Sequence, residues 1–119
     1  EVKVAAQAAS NALLSIQEQA AWCEVTGIRY ARHEKPGKPA SLRVIYECGL
    51  TSHSEWVCFE HTGFPRDKAC TWWRRRAPHL PPPDTVDQAM AATSALRQPL
   101  AIQVRPVGQY TEIVNARFV

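Results

Sequence analysis

The chain has 119 residues, 45% of them hydrophobic, and a formal charge of +3. That length suits one domain or one domain with a tail, and the apolar content is enough for a real core. So small a total charge does not by itself announce a polyanion partner, and no apolar run approaches the ~20 residues that span a bilayer.

The start, Glu1-Val2-Lys3, lacks the organisation of a signal peptide, and the chain reads as a cytoplasmic piece of something longer. The four cysteines are then read as reduced thiols or metal ligands rather than disulfides. Residues 1–20 are rich in Ala and Gln and have only a weak apolar stripe. They are expected to be a linker or frayed helix leading in from an upstream domain, with residues 21–119 forming a single domain.

A strand-like run begins after Trp22 with Val25, Ile28 and Tyr30, and a basic loop with Pro36, Gly37 and Pro39 follows. Leu42, Val44, Tyr46 and Cys48 then alternate with Arg43, Ile45, Glu47 and Gly49, the period of a strand. Residues 55–60 form the next strand. A turn centred on Ser52-His53-Ser54 would set Cys48 opposite Cys58 and Leu50 opposite Trp56, with cross-strand Cβ atoms ~4.5–5.5 Å apart.

A helix is expected after Gly63, with Pro65 in its first turn and Pro78 beyond its end. Ala69, Trp72, Trp73 and Arg76 share one broad face of it. Consecutive helical positions point ~100° apart, so one tryptophan should face inward and the other the rim, with the arginines outward. A second helix starts at the capping box Thr85-Val86-Asp87-Gln88 and stops at Pro99. The chain closes with strands over 100–105 and 110–119, joined by a turn at Pro106-Val107-Gly108.

The order is β-β-β-α-α-β-β, an α+β fold of mainly antiparallel β. It fits an OB-like, partly open five-stranded barrel with an N-terminal tail, and also an open antiparallel sheet with helices on one face.

Charge is concentrated in two runs. Arg29, Arg32, Lys35, Lys38 and Arg43 stand against Glu34, and Arg66, Lys68, Arg74, Arg75 and Arg76 against Asp67. Aromatic faces stack on bases and cations neutralise phosphates. The candidate nucleic-acid-binding residues are therefore Arg32, Lys35, Lys38, Arg43, Arg66, Lys68, Trp72, Trp73, Arg74 and Arg75.

Cys48, Cys58 and His61 offer three zinc donors, with Cys70, His53 or Cys23 as a fourth. Only Cys58-x-x-His61 is short-spaced, so the preferred reading is no cofactor, with Cys48 and Cys58 as small buried hydrophobes. Nothing around Cys58, between Val57 and Phe59, would lower a thiol pKa for nucleophilic catalysis.

Several elements together resemble the C-terminal accessory region of bacterial and phage superfamily-two DEAD/DEAH-type DNA repair helicases, of the RadD-like kind. They are Val25-Thr26-Gly27, His33 with residues 35–39, Ser41-Leu42-Arg43-Val44, and Tyr46 with Cys48-Gly49. Residues 55–61 with Gly63, Lys68-Ala69, Trp72-Trp73, Val104-Arg105, Gly108, Tyr110 and Glu112-Ile113 complete the set. The resemblance covers roughly the last hundred residues and none of the motor. It implies a non-enzymatic appendage that binds single-stranded or junction DNA beside a helicase motor in cis, the parent being an ATP-dependent DNA helicase. The chain itself has no GxxxxGK[ST] loop to hold a nucleotide. A protein-interaction or autoregulatory module docking on the motor or a repair partner is the alternative.

Overall fold

The computed structural model describes residues 20–119. All but the last residue of the expected linker or frayed helix, 1–20, lies outside the described residues. The described residues form β1 (Ala21–Glu24), β2 (Gly27–His33), β3 (Ser41–Cys48), β4 (Thr51–Val57), α1 (Phe64–Arg76), α2 (Val86–Ala91), a 3-10 turn (Thr93–Ala95), β5 (Ala101–Val107) and β6 (Tyr110–Arg117). This is an α+β domain with two antiparallel three-stranded sheets, ordered β1-β5-β6 and β2-β3-β4. The sheets are separate ladders and do not close into a barrel among the described residues.

The first apolar run makes two strands, so four strands rather than three precede the helices. The reason lies at Val25-Thr26. The Val25 N–H donates to Leu100 O at 2.9 Å, beside the first sheet, and the next amide, Thr26 N–H, donates to Glu47 O at 2.8 Å in the second. The chain changes sheets across one peptide, as strands do at the corners of packed sheets.

The β3–β4 register differs from expectation. Gly49, at φ 68°, and Leu50 make the turn, and Cys48 lies opposite Thr51. Glycine at the first of two turn residues is the requirement of a II′ hairpin. Cys48 and Cys58 therefore do not face each other, and Arg43, not Leu50, lies opposite Trp56. The β5–β6 turn also shifts by about a residue, to Gly108-Gln109, with Val107 opposite Tyr110.

Helix α1 starts where Pro65 sets the first turn, and it buries Ala69, Trp73 and Arg76. Helix α2 is capped as expected, with Thr85 Oγ1 accepting from Gln88 N–H at 3.1 Å. Gln88 Oε1 reaches back to the Asp84 N–H at 2.8 Å, completing the box one residue early. The helix ends at Ala91, well before Pro99. Thr93 Oγ1 donates to Met90 O at 3.2 Å, a local bond that competes with helix continuation.

The core joins Leu42, Val44 and Tyr46 of β3 to Phe59, Trp73 of α1, Val86 of α2 and Ile102 of β5, all 2% exposed or less. Burying such side chains contributes ~1.5–3 kcal/mol each. Arg76 lies among them, against the expectation that the terminal arginines of α1 point outward. Its Nη2 donates to the Tyr46 hydroxyl at 3.0 Å and its Nη1 to Trp72 O at 3.3 Å, while the guanidinium lies 4.1 Å from the Trp72 ring centroid. A charge can be buried when its donors are used in this way. No helix among the described residues is long and apolar enough to cross a membrane.

Candidate nucleic-acid interface

Strand alternation sorts β3 and β4 into two faces. Leu42, Val44 and Tyr46 point to the core and pair with Val57, Glu55 and His53, of which Val57 is buried and the other two half-buried. Arg43 and its partner Trp56 point the other way. Trp56 is half exposed. Arg43 Cζ lies 5.9 Å from its ring centroid while Arg43 Nε donates to Ser54 Oγ at 3.1 Å. His33 meets the same indole edge-on, with centroids 5.9 Å apart. A rigid aromatic plate beside a fixed guanidinium results.

The β2–β3 loop forms one wall of a groove over this plate. Pro36 and Gly37, at φ 74°, occupy the centre of a turn closed by Lys38 N–H donating to Lys35 O at 3.2 Å. Proline followed by a glycine with positive φ is the type II pattern, which holds the flanking residues, here the two lysines, within ~7 Å at Cα. The opposite wall is the β5–β6 turn, where Tyr110 is 78% exposed. The groove's described lining carries Lys35, Lys38 and Arg43 with three histidines, and no carboxylate.

The other cations expected to meet phosphate are distributed differently. Arg32 is held by Glu34 at 2.7 Å and Asp87 at 2.9 Å, with Glu60 at 3.9 Å. Arg66 is a structural tie: its Nη1 donates to Phe59 O at 2.9 Å and Pro83 O at 2.6 Å, beside Asp84. Trp73 is core. Trp72 is half-buried, edge-on to Phe59, and lines a second cleft between β4, α1 and β6. Arg75 lines that cleft too, donating to Ala116 O at 3.3 Å and lying over Phe118. Lys68 lines it beside the Phe64 ring, while exposed Arg74 lines neither cleft. Ser54, Trp56 and Thr111 line both clefts, so Trp56 stands on the ridge between them.

The second cleft holds Glu55, facing Arg76, Tyr46 and Trp72. Burial lifts its carboxyl above the ordinary range, and the Arg76 guanidinium opposes the rise. Burial also raises Tyr46 and Tyr30. Sequence reasoning does not find Trp56, Tyr110 and His33 as site residues, and it reaches His53 only as a fourth zinc donor. The signal for the first is its place opposite Arg43, visible only once the hairpin turn is set at Gly49.

Cys48 and Cys58 of the possible zinc set are not brought together. Cys58 Sγ lies 3.7 Å from Ser41 Oγ, beyond the end of β4, and does not meet Cys48. Cys48 instead meets Cys23 and His53, with one ligand atom from each lying within 4.8 Å of the others. All four cysteines are free thiols. Burial, with the Cys23 thiol adding, pushes the Cys48 thiol up.

No protein-family model and no curated protein matches this chain.

Proposed function

We propose that this domain binds single-stranded or junction nucleic acid in the groove over β2–β3–β4, as an accessory part of a cytoplasmic DNA helicase. The observation that carries the reading is the pairing of Trp56 and Tyr110 with Lys35, Lys38 and Arg43 in a groove whose described lining has no carboxylate. Cations along a groove track the backbone while aromatic faces accept bases of any sequence. Trp56 offers the central stack, and Lys35 and Lys38 neutralise phosphate along one wall. ATP hydrolysis belongs to the motor in cis. An OB-like, partly open barrel would suit this role, since OB-folds bind strands on their sheet face. Its support is the sheet change at Val25-Thr26 and the approach of β4 to β6, where His53 Nδ1 lies 3.2 Å from Thr111 Oγ1.

A second reading, docking on the motor or a repair partner, is favoured by the other cleft, where Phe64 is 72% exposed beside exposed Val114. Titrating labelled single- and double-stranded oligonucleotides at two salt concentrations separates the two. Groove binding predicts affinity that falls steeply with salt and a loss of roughly 5- to 150-fold in Trp56→Ala, the range for one base–aromatic stack. Binding that ignores both salt and Trp56 would favour the docking reading.

A further inference from the structure

We infer that Cys23, Cys48 and His53 form a binding site for a thiophilic divalent cation of the zinc type, clasping the two sheets together. The three donors come from three strands: Cys23 from β1 of one sheet, Cys48 from the end of β3 and His53 from β4 of the other. One ligand atom from each lies within 4.8 Å of the other two. Zinc with bonds of ~2.0–2.3 Å sets tetrahedral donors roughly 3.5–3.8 Å apart. Small side-chain rotations, with no strand shift, close that difference.

Two thiolates and an imidazole are a zinc donor set that leaves the fourth position to water. The thiols enter as thiolates and release their protons to solvent on binding.

The imidazole is held on both sides. Thr51 Oγ1 lies 3.3 Å from His53 Nε2, and Thr111 Oγ1 lies 3.2 Å from His53 Nδ1. Whichever nitrogen turns to the metal, the other keeps a hydroxyl that fixes the ring, the outer support that metal-bound histidines almost always have. Thr111 belongs to β6, so the support also crosses between sheets. This site shares His53 and Thr111 with the groove lining but does not rest on the nucleic-acid reading, and it shares only Cys48 with the set Cys48, Cys58 and His61.

The test is titration of the reduced full chain with Co²⁺, reading the sulfur-to-cobalt charge-transfer band and its bleaching by Zn²⁺. One equivalent should bind, and the band should persist in the Cys58→Ser/Cys70→Ser double variant, whose described thiols are Cys23 and Cys48 alone. This positive readout does not depend on a ligand variant folding. In that background Cys23→Ser or Cys48→Ser should abolish the band, and His53→Ala should weaken Co²⁺ binding by more than about tenfold. Absence of the band from the double variant would overturn the site. So would unchanged affinity in His53→Ala.

Discussion

Trp73 and Trp56 carry the same indole into opposite surroundings, and truncating each reads a different property. Trp73 is 1% exposed and meets Phe59 edge-on at 5.7 Å. Trp73→Ala should cost about 3–5 kcal/mol in urea unfolding, the range for a large aromatic deleted from a core. Trp56, half exposed on the outer face, should lose about 1 kcal/mol of stability or less on the same change, while oligonucleotide affinity drops. A Trp56→Ala protein that unfolds as readily as Trp73→Ala would make Trp56 a structural residue. Tyr30 supplies a pH-dependent case. Burial raises its phenol above the ordinary value, Arg76 opposing and Glu55 adding. An acid with a raised folded pKa holds its proton more tightly in the native state, so its contribution is full below the ordinary tyrosine value near ~10 and is lost as pH rises through the folded one. Tyr30→Phe should therefore make the fall in stability above about pH 10 shallower, measured by circular dichroism on denaturant titrations. A fall as steep as in the parent chain would refute this.

At the scale of elements, two glycines predict opposite outcomes for one substitution. Gly49 turns the β3–β4 hairpin at φ 68°, and a methyl there would meet nothing within 4 Å, so only backbone strain is at stake. Gly49→Ala should cost about 1 kcal/mol or more. Gly27, the first residue of β2, has no positive φ, and a methyl would make ordinary contact with the Glu47 side chain at 3.7 Å. Gly27→Ala should be neutral or stabilise by up to about 1 kcal/mol. Equal melting temperatures for the two variants would remove the turn argument. Gly49 also explains what the sequence made legible and what it hid. Both helix starts could be read, because Pro65 and Thr85 act through local chemistry. The β4 register could not. Thr51-Ser52-His53-Ser54 is polar enough to look like a loop, and it is strand because it pairs with β3. Placing Thr51 rather than Cys58 opposite Cys48 moves the pairing by seven positions. That number is odd, and an odd shift transposes every side chain of a strand to the other face. The Cys48–Cys58 pairing, the zinc set built on it and the placing of Trp56 against Leu50 all depend on that turn. The burial of Arg76 is hidden for another reason: its partner Tyr46 is distant in sequence.

At the scale of the whole molecule, charge is spread around the fold, and its pairing decides what it can do. Arg32 and Arg66 are occupied by carboxylates and carbonyls, while Lys35 and Lys38 stand at a groove wall. Lys35→Ala/Lys38→Ala should flatten the log–log salt dependence of single-strand binding by about 0.7 for each phosphate no longer neutralised. Arg74→Ala removes a cation outside both clefts and should leave the slope unchanged. If the two variants behave alike in fluorescence anisotropy, binding reports overall charge and not the groove. The first sheet carries a mechanical consequence. β5 lies between β1 and β6, with Ala21 opposite Val104 and Arg117 opposite Ala101. Tension applied at Ala21 and Arg117 thus pulls β1 and β6 along the strands in opposite directions. Ladder bonds perpendicular to the strands are then loaded in shear, all at once, and not peeled one after another. A domain tugged by a translocating machine through these two points would resist as a whole sheet.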